Sequence, residues 1–447
     1  MQRSPVIQFA LTVVTALCLP LLAAAQTPQQ VRMQRLNPAM PLPLRIDPER
    51  VAAAGIEVLS GKHICIYTDV RDQELTKDLI RVFDAAMAQW CNFFGVEPET
   101  TKDYQLSAMV IADRNNTQAF RKAGLIPADL PEFLAGYNRG HETWLYLQPG
   151  DYYTRHLLLH EGTHAFMQWF LRGSGPSWYS EGMAELLGLN RWQDGELELG
   201  YRVRSNLDCP YWGRVKILRN DVTERNELLL EQVMEIPAAA YRQVRAYAWS
   251  WAACDFLAHH PLTKDAFQQL TKNAKEIGPA FNRQFRQSIE DHWPIVQRDW
   301  QLYINEMVYG YEVDRGVLRA ATQDAENSSV QVQADYSWQE TPWRVQAGDR
   351  FQLTAEGQFE LTVAKKTLPS AGGGITIEYY QGNPLGVLMM GVLDDQNPAS
   401  MAKTSRVVGL GHDFVAERAG AICLRINTSP AKRSDNRGFL RVTFTKN

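Results

Sequence analysis

From residue 63 onward the chain switches between two hydrophobic patterns. His63-Ile64-Cys65-Ile66-Tyr67-Thr68 and residues 106–112 are short, nearly continuous apolar runs, which predict strands. Between them, Leu75, Leu79, Val82, Phe83, Met87 and Trp90 recur at helical spacing and the run ends before Gly95, predicting a helix over residues 74–94. Thr143-Trp144-Leu145-Tyr146-Leu147 predicts another strand, directly ahead of a strongly apolar, helix-compatible run over residues 154–171. Helical spacing then dominates to about residue 311, with candidates at 178–188, 241–260, 264–275 and 292–308. Sheet elements first and helices afterwards predict an α+β domain. From residue 329 the pattern changes to short β-rich runs (350–355, 374–380, 421–427 and 438–445) separated by Gly, Asn, Asp and Pro turns. That spacing predicts a separate all-β sandwich, with the boundary in the polar stretch at 323–329.

The N-terminus has a different character. Arg3, an apolar stretch over residues 6–22 and then Ala23-Ala24-Ala25-Gln26 have the form of a secretory signal peptide, residues 1–25, cut after Ala25. The expected location is therefore periplasmic or extracellular. Cys18 follows Leu17, where a lipoprotein signal wants Gly or Ala, so no lipid anchor is expected. Residues 26–60 are Pro- and Gln-rich, then weakly mixed, and read as a leader with little fold of its own or as a short pro-segment. The remaining units are residues 61–322 and 323–447, as expected for a chain of 447 residues, too long for one ordinary domain. A net charge of -4 offers no electrostatic footprint for nucleic acid, and no segment after the signal is long and apolar enough to span a bilayer. Cys65, Cys91, Cys209, Cys254 and Cys423 form no C-x-x-C pair, and imply neither a disulfide framework nor a cysteine metal site.

Within the 154–171 helix stands His160-Glu161-Gly162-Thr163-His164, an H-E-x-x-H segment. Residues four apart share a helix face, so both imidazoles can address one metal ion, and Glu161 beside them can act on water. Zn2+ is the expected ion. Two histidines need a further protein ligand. Pro176-Ser177-Trp178-Tyr179-Ser180-Glu181-Gly182-Met183-Ala184-Glu185 offers two glutamates on one helix face. Glu181 suits the third ligand, and Glu185 suits a carboxylate that orients a ligand histidine through its other ring nitrogen. His156 lies one turn before His160, but three imidazoles from one straight helix converge poorly.

H-E-x-x-H followed by W-x-x-E-G-x-A-E resembles the gluzincin metallopeptidases, in particular the peptidase-MA-like bacterial proteins. The resemblance covers residues 62–261 and implies a zincin-like fold with a mixed sheet ahead of the helices. It implies His160, His164 and Glu181 as ligands, Glu161 as catalytic base and Glu185 as support for a ligand histidine. The thermolysin-type N-E-x-x-S-D is absent, with Ser180 where Asn would stand, as is the G-x-M-E-N motif of related aminopeptidases. Gluzincins often place a tyrosine on a later helix, which points to Tyr247 as donor to the developing oxyanion. Tyr241, His259 and His260 compete for that role. The 144–147 strand is a candidate edge for pairing with an extended peptide, as in other zincins.

The C-terminal unit, over residues 338–444, is similar to galactose-binding-like β-sandwiches and distantly to the small calcium-dependent galactose lectin of bacteria. That likeness implies a Ca2+ site at Asn427, Asp435 and Asn436 and a carbohydrate or envelope component as partner, although Asp-Asn-x-Gly is equally an ordinary turn. The expected function is hydrolysis of a peptide or protein substrate. Two alternatives stay open: a catalytically idle envelope binding protein, and a zinc hydrolase of a non-peptide amide or ester.

Overall fold

The computed structural model describes residues 41–115, 117–323, 329–394 and 397–446. The expected signal peptide, and residues 26–40 after it, lie outside the described residues. The chain is mixed α/β with several sheets and a β-rich C-terminal region. Among the described residues no helix is long and apolar enough to cross a membrane.

The stretch expected to be a leader is in part folded. Asp47 caps a short helix, α1 (Pro48–Ala53), by accepting from the N–H groups of Glu49 and Arg50. Strand β1 (Glu57–Ser60) then pairs with β2 (Ile64–Thr68). The reading of residues 26–60 as a leader with little fold is therefore corrected for 48–60: Val51 and Ile56 are buried in a cluster with Met109, Ile111 and Trp144.

Strands β1 and β2 belong to a five-stranded sheet completed by β3 (Leu106–Ile111), β4 (Gly136–Arg139) and β5 (Glu142–Tyr146), in the order β1-β2-β3-β5-β4. The three central strands are parallel and the two edges antiparallel. Side chains alternate between faces, as a period of two requires. Leu106, Ala108 and Val110 of β3 face the main core, while Met109 and Ile111 face the smaller cluster. Strand β5 is interior, so the expectation that the 144–147 strand forms a free edge is corrected: β4 covers it.

The main core lies under helix α2 (Gln73–Phe94), whose N-terminus is capped by Asp72 and whose C-cap, Gly95, takes the left-handed φ of 66°. Against it packs α3 (Asp151–Phe166), which bears H-E-x-x-H and is followed by one π-helical turn, Met167–Leu171. Helix α3 is buried on nearly all sides, which explains its lack of an amphipathic stripe. Helix α4 (Ser177–Gly188) follows, then the hairpin β6 (Asn190–Gln193) and β7 (Glu196–Leu199), α5 (Arg214–Thr223), α6 (Val244–His259) and α7 (Trp293–Asn305). Gly182 sets the approach of α4 to α6, since a Cβ there would lie 2.4 Å from the Ser250 carbonyl oxygen and 2.5 Å from the Cys254 sulfur.

The C-terminal region is a β-sandwich. One sheet runs Lys366–Ser370, Phe359–Val363, Arg437–Lys446, Ser329–Gln333 and Thr322–Gln323, with Arg350–Glu356 and Gly411–Val415 beside it. The other runs Gly373–Tyr380, Asn383–Leu393, Gly420–Ile426, Gln339–Val345 and Arg319–Ala320, with Arg406–Val407 attached. Their inner faces meet around Val330, Phe351, Leu388, Ile422, Leu424 and Val442. Strand pairing already includes residues 319–323, so the sandwich begins just ahead of the expected start at 323. It is joined to α7 through Leu302, which packs with Trp338 and Met389, and through buried Glu306, which pairs with Arg425 and Arg433. Among the described residues Cys65, Cys91, Cys209, Cys254 and Cys423 are all free and buried.

Candidate metal centre

Helix α3 presents His160 and His164 on one face, and α4 brings Glu181 against them. His160 Nε2 and His164 Nε2 are 3.3 Å apart, and Glu181 Oε2 is 3.3 Å from each. Two metal bonds of about 2.0–2.1 Å meeting at a tetrahedral angle place ligand atoms about 3.3–3.4 Å apart. The three atoms therefore form one face of a tetrahedron that fits zinc. Glu181 Oε2 is buried and accepts no hydrogen bond among the described residues, which suits it to a metal. Burial alone would raise the Glu181 carboxyl, but the facing His164 and His160 outweigh it and hold it at about 2. The donor set is thus an anionic carboxylate with two imidazole nitrogens, the composition that suits a catalytic zinc site.

Behind these three, a buried frame holds them. Glu185 Oε1 lies 3.6 Å from His160 Nδ1, the nitrogen turned away from the ligand face. Arg214 grips Glu185 with both arms, Nη2 to Oε1 at 2.8 Å and Nε to Oε2 at 3.1 Å, and Trp212 Nε1 donates to Oε2 at 2.9 Å. Burial opposes the Glu185 charge, yet Arg214 and His156 pull its pKa well below the usual carboxylate range. Ser180 Oγ sits 3.2 Å from His164 Nδ1 and fixes the second imidazole in the same way. His156 also reaches this frame, with Nε2 3.6 Å from Glu185 Oε2, so His156, His160 and Glu185 form a second grouping of ligand types. Its carboxylate is already engaged by Arg214, and burial lowers the His156 pKa and keeps that ring neutral. A cation there would face the guanidinium, which favours the His160–His164–Glu181 grouping. Arg214, Trp212 and Ser180 were not singled out as supports in the sequence. Only Ser180 carried a signal, its place next to Glu181.

Glu161 is buried beside the ligand face, and burial pushes its carboxyl up to about 8, with His164 opposing and Glu181 adding to the rise. It touches β4: a Cβ on Gly136 would lie 2.4 Å from Glu161 Oε1 and 3.0 Å from its Cδ. The edge strand therefore runs directly over this carboxylate.

Of the candidate oxyanion donors, Tyr247 has its ring 6.0 Å from that of His160. Burial and the surrounding carboxylates Glu181, Glu161 and Glu185 raise its pKa, so the phenol keeps its proton at neutral pH. Tyr241 packs edge-on against it at 5.2 Å, but its hydroxyl is engaged with Ser250 Oγ at 2.5 Å. His260 is buried against Asp299 at 3.1 Å, and His259 is held by Asp255 on the last turn of α6. Neither histidine belongs to the metal grouping.

The expected calcium positions do not converge. Asn427 Nδ2 donates to the carbonyls of Tyr380, Asn383 and Pro384 and pins that hairpin. Asn436 Nδ2 donates to the Ala334 carbonyl, also buried. Asp435 is exposed and lines a surface depression with Glu360, Thr362 and Arg437, which neither asparagine reaches. The loop's amides hold the backbone, as in an ordinary turn.

The chain matches no protein-family profile and no curated relative. Among solved structures it is similar to one described as "EclA N-terminal domain; PllA-like lectin", with 17% identity over 28% of this chain and all of that one, at a TM-score of 0.22. A likeness at that score carries no inference about ligand or activity.

Proposed function

We propose that the protein is an exported zinc-dependent peptidase of gluzincin type, with the β-sandwich as an accessory module. The observation that carries this reading is the set of three ligand atoms 3.3 Å from one another beside the buried carboxylate of Glu161. His160, His164 and Glu181 would hold the ion, which when bound supplies a Lewis acid and a water of lowered pKa.

The chain's own residues account for the remaining requirements. Glu161, buried beside the proposed ligand residues, is placed to take a proton from water and pass it to the leaving amine nitrogen. Tyr247, kept protonated, can donate its O–H to the carbonyl oxygen as negative charge develops there. Glu185 with Arg214, and Ser180, keep the two imidazoles in one orientation and tautomer. Strand β4 is an edge, paired with β5 on one side, and its other side presents backbone groups to which an extended peptide can add. Contact between Gly136 and Glu161 puts that edge next to the reacting groups.

Two measurements test the reading together. Purified protein is expected to contain about one zinc per chain, lost in His160→Ala and His164→Ala, and to cleave members of a mixed peptide library. Equal zinc in all three proteins would dismiss the site. Bound zinc with hydrolysis of esters or non-peptide amides alone would dismiss the peptidase.

A further inference from the structure

Helix α5 opens with a cation, against the preference of a helix N-terminus for negative charge. That residue, Arg214, is buried, and its N–H groups are committed: Nη2 and Nε to Glu185, at 2.8 and 3.1 Å, and Nη1 to the Trp212 carbonyl at 3.0 Å. The Tyr153 side chain also meets the guanidinium. Its central carbon stands over the ring of Tyr247, 5.9 Å from the ring centre, within cation–π range. We propose that Arg214 is a positioning residue for Tyr247, so that one guanidinium fixes the oxyanion donor relative to the metal ligands. The proposal rests on the reading of Tyr247 as that donor.

A donor to a developing oxyanion needs an O–H that is free and yet held in place. The Tyr241 hydroxyl is tied to Ser250, whereas that of Tyr247 makes no hydrogen bond among the described residues, so its place is set through its ring. Around that ring stand His160 at 6.0 Å, Tyr241 edge-on at 5.2 Å, and Arg214. Tyr241 lies in the turn just ahead of α6, the helix that carries Tyr247, and can move with it. His160 has its own task as a proposed ligand. Arg214 comes from another helix and is itself fixed by a two-armed, charge-assisted grip. That grip is on Glu185, whose Oε1 lies 3.6 Å from His160 Nδ1. Support of the ligand and support of the donor thus share one cation. Lysine could not serve both, because its ammonium is a point charge without the planar fork that spans carboxylate and ring.

Tyrosine labelled with 13C at Cζ in the full chain reads the placement directly, the Tyr247 resonance being the one lost in Tyr247→Phe. Arg214→Lys is expected to shift that resonance by more than its linewidth. Trp212→Phe removes another donor to Glu185, leaves the cation under the ring, and should not shift it. Should lysine disturb folding, Arg214→Gln carries the same expectation. In turnover of a library peptide that the wild type cleaves, Arg214→Lys should keep the zinc and KM and lower kcat about tenfold. On a Tyr247→Phe background the same substitution should lower kcat by less than about twofold, because the group it positions is gone. An unmoved resonance in Arg214→Lys, an equal shift in Trp212→Phe, or an equal loss of kcat on both backgrounds would overturn the proposal. Wild-type kcat in Tyr247→Phe would overturn it too, by removing the donor. A wild type that cleaves no peptide would instead sink the peptidase reading, and the resonance would still decide whether Arg214 places Tyr247.

Discussion

Gly136→Ala isolates the contact between the edge strand and the proposed base. The glycine's φ lies outside the left-handed region, so alanine brings no backbone strain and acts only through its methyl group. That methyl would stand 2.4 Å from Glu161 Oε1, where a carbon–oxygen contact needs roughly 3.4 Å, so the carboxylate must retreat by about 1 Å. The clashing atom is the end of a side chain that can swing aside, which keeps the stability cost near the low end of overpacking, about 1 kcal/mol. Geometry suffers more: a displacement of about 1 Å in a reacting group costs on the order of 100-fold in rate. The expected result is a turnover about 100-fold lower on whichever library peptide the wild type cleaves, with metal content unchanged and little change in melting temperature. Turnover within about twofold of wild type would refute the idea that β4 positions Glu161. Loss of the metal would refute it differently, by showing that the contact supports the ligands.

Other perturbations test neighbouring parts of the argument. Glu161→Gln should keep the metal and lose nearly all hydrolysis, whereas Glu181→Ala should weaken metal retention itself; metal analysis beside peptide cleavage separates the two, and wild-type turnover in Glu161→Gln would exclude it as base. Glu142 is 2% exposed and accepts from the Leu44 N–H at 2.7 Å, and burial pushes its carboxyl from about 4.5 up to about 7. The folded state therefore holds this proton more tightly than the unfolded chain, so stability falls as pH rises from about 4.5 through about 7, by at most about 3 kcal/mol. Glu142→Gln keeps the acceptor and should flatten that part of the denaturation-versus-pH curve; an unchanged slope would assign it to other groups. Glu306→Ala leaves Arg425 and Arg433 buried without their counter-charge and should cost about 3–5 kcal/mol, read by denaturant unfolding. A loss below about 1 kcal/mol would mean the seam tolerates solvent.

What could be read in the sequence was what depends on one helix at a time. Four-residue spacing puts His160 with His164, and Glu181 with Glu185, on single faces whatever the rest of the chain does, and the structure brings those faces together. The long periodic helix over 74–94 and the apolar strands at 64–68 and 106–111 followed from the same local rule. Strand β4 escaped because Gly136-Tyr137-Asn138-Arg139 has neither alternation nor β-branched residues; its pairing comes from the neighbour it covers, and with it went the identity of the sheet edge. The frame behind the ligands escaped for a related reason. Arg214 lies 29 residues beyond Glu185, and no periodicity links a guanidinium to a carboxylate across a hairpin and a loop. The same blindness applied to Glu306, whose partners lie 119 and 127 residues away and make the polar-looking boundary a buried, charged seam. Local spacing thus locates groups that can share a metal, while the contacts that would hold them steady are long-range and belong to the tertiary fold.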